Sequence, residues 1–184
     1  MDMIDTLSKS LDHTAEIVGG VKADQLTSST PCTKWTVTEL LAHMNGALTN
    51  MGNGAVGEAL LPSTNEFALS DDLADQYRTQ AAKTLAAWQA CDLESLVDIG
   101  AGPMPAGIAI SINIVDQATH AWDLARATDQ PADLDDELAA TVLAIAQGFV
   151  TDQTRTFAGI DPPIEVGADA SPTAQLVAFM GRRP

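Results

Sequence analysis

Residues 36–51, TVTELLAHMNGALTNM, decide the fold class. Thr36 followed three residues later by Glu39 reads as a capping box, in which the hydroxyl accepts from the N–H of Glu39 and the carboxylate reaches back to the N–H of Thr36. Leu40, Leu41, Met44, Ala47, Leu48 and Met51 then recur at helical spacing. This predicts an amphipathic helix, and Gly52 and Gly54 are expected to end it. Upstream, Met3, Ile4, Leu7, Leu11, Ala15 and Val18 mark a helix over 3–18, stopped by Gly19-Gly20. Downstream, residues 57–67 lack a clear period and contain Pro62, which predicts a loop with room for one helical turn.

The same reading continues to the C-terminus. Ser70-Asp71-Asp72 places acids at the positive end of a helix whose face carries Leu73, Tyr77, Ala81, Leu85 and Trp88. Residues 96–107 are turn-rich, with a short extended piece at Leu96–Ile99. A fourth long helix is expected over 108–128, although its start, GIAISINIV, also alternates like a strand. Asp133 is expected to cap a fifth helix over 134–157, with room for a break, and Ser171-Pro172 to open a short last helix stopped by Gly181. The expected fold is therefore all-α: an antiparallel four-helix bundle with additional C-terminal helices, in one domain over 1–184.

Composition narrows the function. The 184 residues include 46% hydrophobic and only 4% aromatic side chains, which suits a core of small and medium groups between close helices. Twenty-five acids against nine Lys and Arg give a formal charge of −16. Nucleic acid and anionic membrane surfaces are disfavoured as partners, because like charges repel. The start MDMIDTLSKS lacks the basic flank of an export signal, and Cys32 and Cys91 form no spaced framework. A cytoplasmic protein is the expectation.

The chain has three histidines, His13, His43 and His120. His13 lies in a polar stretch and is expected to be solvated. His43 sits on the apolar side of its helix, where a hydrogen-bonded core histidine is the simpler reading than a ligand. Asp116 and His120 stand one helical turn apart, a spacing that serves two ligands of one metal and equally a surface ion pair. On a helical wheel Asn113, Asp116, His120 and Asp123 form a polar stripe opposite Ile110, Ile114, Ala118 and Trp122. Spacing alone favours a stripe facing water. The ligand reading requires a cleft and a third donor from another helix, for which His43 is the candidate. Cys32 is a weaker candidate as a reactive thiol, with only Lys34 nearby to favour the thiolate. No phosphate-binding glycine loop or nucleophile elbow is visible.

Two segments carry a resemblance. TPCTKWTVTELLAHMNG (30–46) and DQATHAWDLARATDQP (116–131) resemble the two signatures of the DinB-like helical bundles, in the branch of the mycothiol-dependent maleylpyruvate isomerase N-terminal domain. IEVGADASPTAQLVAFMGRRP (164–184) is similar to the close of small members. The resemblance implies a divalent metal at the open end of the bundle, held by His43, Asp116 and His120, with zinc or nickel suiting such donors. Asp116 stands where the characterised isomerase has glutamate. The resemblance also implies a small-molecule substrate, mycothiol as a cosubstrate, a homodimer, and Asn113 and Asp123 as groups orienting the ligands. The function expected is a metal-dependent thiol S-transferase or isomerase. The alternatives are a non-catalytic metal- or ligand-binding module of the same fold, or a bundle whose polar stripe simply faces water.

Overall fold

A computed structural model describes residues 1–32 and 35–184. Helices α1 (Met3–Gly19), α2 (Val37–Val56), α3 (Leu73–Ala90) and α4 (Ala106–Ala127) form the bundle. Helix α1 packs on α3 and α4, and α2 packs on the same two, so α1 and α2 stand at opposite corners. A two-stranded antiparallel ladder, β1 (Leu96–Asp98) with β2 (Pro103–Pro105), leads into α4. Helix α5 (Asp136–Phe149) packs on α4 and on α7 (Pro172–Phe179), with α6 (Asp152–Ala158) between them in sequence. This is the all-α bundle with added C-terminal helices that the sequence predicts.

One apolar cluster runs through these elements, from Leu7 and Leu11 through Leu40, Met44 and Leu48 to Ile110, Ile114, Leu138 and Leu176, all of them buried. Among the described residues no helix is long and apolar enough to cross a membrane.

The capping box forms as expected: Glu39 N–H donates to Thr36 Oγ1 and Thr36 N–H to Glu39 Oε2 at 2.8 Å. The helix does not stop at Gly52 or Gly54, however, and runs on to Val56 before Gly57 turns the chain at φ 72°. Those glycines serve close approach. A Cβ on Gly54 would strike the Asp98 carbonyl, and one on Gly52 would lie 3.2 Å from the Thr84 backbone. The strand-like start of α4 is helical because Ala106, Ala109, Ile110 and Ile114 are all buried against the bundle. The fifth helix breaks at Val150, and its cap is Asp135 rather than Asp133, with Asp135 Oδ1 accepting from the N–H groups of Glu137 and Leu138. Thr151 caps α6 at once, accepting from Thr154 N–H.

Candidate functional site

Three helical side chains converge at one end of the bundle. His43 comes from the middle of α2, and Asp116 and His120 from successive turns of α4. His43 Nε2 and His120 Nε2 each lie 3.6 Å from Asp116 Oδ1, and the three donor atoms fall within 4.8 Å of one another. The rings of His43 and His120 meet edge to face, 5.2 Å between centroids. Trp35 stacks on His43 at 4.3 Å and leans over His120 at 5.6 Å.

The far nitrogen of each ring is held from behind. His43 Nδ1–H donates to Asn65 Oδ1 at 3.0 Å, and His120 Nδ1–H to Asp123 Oδ2 at 2.9 Å. Each contact places the proton on Nδ1 and leaves the Nε2 lone pair facing Asp116. Asn65 reaches His43 because Gly46 on α2 lets the Thr64 backbone settle against the helix, where a Cβ would collide with the Thr64 carbonyl. Asp123 is itself gripped by Arg182, through Nε at 3.2 Å and an Nη at 2.8 Å.

That grip depends on the C-terminal turn. The buried Arg155 of α6 donates to the carbonyls of Asp161 and Phe179, tying α6 to the end of α7. Gly181 then adopts φ 83° and swings Arg182 back over the bundle. Asp116 is steadied on its other oxygen by Gln117 Nε2 at 3.1 Å, and Gln117 Oε1 accepts from Tyr77 O–H at 2.7 Å.

Charge follows this geometry. Burial works against a charged His43, but the Asp116 carboxylate and the Asn65 contact outweigh it and raise its pKa. Burial likewise opposes ionisation of Asp116, yet the two imidazoles and Gln117 hold it below the usual carboxylate range. Asp123 is buried too, and is lowered by His120 and Arg182. Arg182, for its part, is held charged against its burial mainly by Asp123. A closed network of matched charges therefore surrounds the three inward atoms.

The polar stripe does not face water, as spacing alone suggested. Asn113 and Asp123 are wholly buried and His120 is 7% exposed. Asn113 does not orient a ligand either: its Oδ1 accepts from Trp88 Nε1 at 3.0 Å, within the core. His13 is half-buried rather than solvated, and its Nε2 has no hydrogen-bond partner. Cys32 lies with His120 and Asp123 in a second cluster whose donor atoms are also within 4.8 Å of one another. Lys34, read as its cationic neighbour, lies outside the described residues. Asn65, Gln117 and Arg182 escaped the sequence reading, because nothing in their local spacing marks them, and Tyr77 was read only as a residue of the apolar face of its helix. The triad opens on a cavity of about 780 Å³ between α4, the β1–β2 hairpin, α6 and the C-terminal turn.

Comparison with known proteins agrees with this architecture. The family model described as the mycothiol maleylpyruvate isomerase N-terminal domain matches residues 7–125, which include the triad but not Arg182. Two uncharacterized proteins of Mycobacterium tuberculosis, Rv0738 and MT0763, are each 34% identical over 187 residues, covering 99% of this chain and 98% of theirs. The crystal structure of the mycothiol-dependent maleylpyruvate isomerase is similar with a TM-score of 0.57 at 18% identity, over 78% of this chain and 68% of that one. A His-to-Ala mutant of the isomerase matches with the same TM-score and coverage at 17% identity. At that identity the structural likeness bears on the fold. With the family model covering most of the bundle, the chain belongs to the mycothiol maleylpyruvate isomerase N-terminal domain family.

Proposed function

We propose that this chain holds a divalent cation through His43 Nε2, Asp116 Oδ1 and His120 Nε2, and works as a metal-dependent thiol S-transferase or isomerase on a small molecule. The observation that carries the reading is the 3.6 Å separation of Asp116 Oδ1 from both Nε2 atoms, with both Nδ1 atoms anchored elsewhere. That distance is long for a hydrogen bond. It is close to the ~3.4 Å that tetrahedral bonds of ~2.0–2.2 Å impose between neighbouring donors. Two neutral imidazoles and one carboxylate leave coordination open, the arrangement of reactive rather than structural sites. Zinc and nickel both suit the donor set.

When bound, such an ion supplies Lewis acidity and favours the thiolate form of a thiol cosubstrate, of which mycothiol is the one the family name implies. The chain's own residues do the positioning. Asn65 and Asp123 fix the ring tautomers. Trp35 shields the His43 face from water by stacking on it. Gln117 holds one carboxylate oxygen of Asp116, so that the other points inward.

Two measurements test the proposal. Chelation should lower the melting temperature and added zinc should restore it, because a ligand bound only by the native state stabilises it. Thiol-dependent turnover over a panel of electrophiles separates the enzyme from a non-catalytic binding module, the second reading. The second reading draws support from the cavity, which beyond the clusters around the triad is mainly apolar. By family likeness the protein is expected to act in the cytoplasm as a homodimer. Light scattering that finds a monomer at micromolar concentration would refute the assembly.

A further inference from the structure

We infer that Tyr77, which lies in the core and does not line the cavity, is a positioning residue for the triad: it acts through Gln117 to decide which oxygen of Asp116 meets the two ring nitrogens. This deepens the proposed function, and it rests on that reading for the ion but not for the hydrogen bonds.

The relay has three links, each with one direction open to it. Gln117 Nε2 lies 3.1 Å from Asp116 Oδ2 and 3.4 Å from the Met44 carbonyl oxygen. A carbonyl accepts only, and so does an ionised carboxylate, so the amide turns its N–H groups to both. Its Oε1 is left facing Tyr77, whose O–H donates to it at 2.7 Å. Burial, and after it the Asp116 charge, raise the Tyr77 pKa, so the phenol keeps the proton that it donates. Tyr77 and Gln117 are wholly buried, so bulk water does not compete for the bond between them.

A neighbouring pair shows that the relay is more than the way α3 meets α4. One turn back on α4, Asn113 Oδ1 accepts from Trp88 Nε1 at 3.0 Å, also in the core. The Asn113 amide nitrogen is buried with no hydrogen-bond partner among the described residues, so that pair ends there. Gln117 is longer by a methylene, and its nitrogen goes on to the triad.

The consequence for the site is geometric. With Oδ2 held by Gln117, Asp116 offers Oδ1 alone, 3.6 Å from each Nε2. An ion there gains three donors and keeps a position for a thiol or water. Without the phenol, nothing fixes the amide about its broad terminal torsion. Both carboxylate oxygens are then free to turn to the ion and fill that position.

Tyr77 is the one tyrosine of the chain, so carbon-13 labelling at Cζ gives a single NMR line. In the full chain stripped of metal, Asp116→Asn should move that line, and should move it less in a Gln117→Leu background. A line that stays in place, or moves equally in both backgrounds, would overturn the inference. This arm leaves Tyr77 unchanged, so it stands even where Tyr77→Phe fails to fold. Zinc affinity by chelator competition is the second measurement. Tyr77→Phe should weaken it by about tenfold, the low end for a group that orients a metal ligand. Trp88→Phe, which deletes the neighbouring bond, should change it by no more than about twofold. Equal losses would mean that core packing sets the affinity, and would overturn the inference. With cobalt in place of zinc, Tyr77→Phe should lower the visible absorption, as a higher coordination number does, and Trp88→Phe should keep the parent spectrum. A Tyr77→Phe spectrum identical to the parent's would contradict the one-oxygen role of Asp116. A parent that binds neither zinc nor cobalt removes the metal centre, and the NMR arm alone then decides the positioning role.

Discussion

The buried polar groups of α4 divide into two sets that look alike in sequence. Asn113 and Gln117 bond inward to Trp88 and Tyr77, and both pairs are completely buried in the core. Asp116 and His120, one turn further round, are each tied down on one side and present the other to a cavity. The first set specifies how α3 meets α4, and Gln117 joins it to the second by donating from Nε2 to Asp116 Oδ2 at 3.1 Å. The second is polarised: its hydrogen bonds orient the groups from behind and leave the inward atoms 3.6 Å apart. Burial therefore does not separate scaffold from site here. The direction in which each group is satisfied does.

The largest expected effect breaks the second set. His120→Ala and His43→Ala should each abolish stoichiometric metal, read by elemental analysis, while the circular dichroism of the bundle is retained. Trp88→Ala acts on the first set. It empties a fully packed site and strands the Asn113 carbonyl oxygen, so it should cost about 3–5 kcal/mol in urea unfolding. Its metal stoichiometry in the folded state should be unchanged. A Trp88→Ala protein that folded normally but lost its metal would erase the distinction between the sets.

Intermediate effects belong to the groups behind the triad. Asp123→Asn and Arg182→Ala should weaken metal binding by about 10–100-fold without abolishing it. Competition against a zinc-selective chelator measures this. Equal loss in Asp123→Asn and His120→Ala would mean that Asp123 is itself a donor, which the cluster of Cys32, His120 and Asp123 makes a concrete rival.

The smallest effect is in pH. In the chelated protein the raised His43 pKa favours its proton, so the stability from His43 and Asp116 is present below 6.5 and lost as pH rises through the raised value. His13 acts the other way. Burial lowers its pKa, Glu16 opposing, so stability is present above 6.5 and lost as pH falls toward the lowered value. His43→Gln should flatten the alkaline side of the chelated stability profile and His13→Gln the acidic side, as read by urea unfolding across pH. Zinc should remove the His43 limb, because metal and proton compete for that ring.

Much of this architecture was legible in the sequence where the signal is local. The Thr36–Glu39 box, the Asp72 start and the Ser171-Pro172 start each involve groups within one turn, and each forms as read. The glycines of α2 misled because Gly52 and Gly54 answer to Thr84 and Asp98, partners that only the packed fold brings near. The site failed and succeeded on the same ground. Spacing placed Asp116, His120 and Asp123 on one stripe but pointed it at water, since α5, α7 and the C-terminal turn that cover it lie beyond any helical wheel. Asn65 and Arg182 carry no local pattern at all. They reach the rings across 22 residues and 59 residues respectively, counting Arg182 to Asp123.

The most direct test of the account is elemental analysis of the full chain purified without a histidine tag, beside His43→Ala and His120→Ala prepared identically. The account predicts about one divalent ion per chain in the parent, and loss of that ion in both variants. A metal-free parent that takes up no zinc or nickel on titration, or variants that keep the parent's metal content, would contradict it.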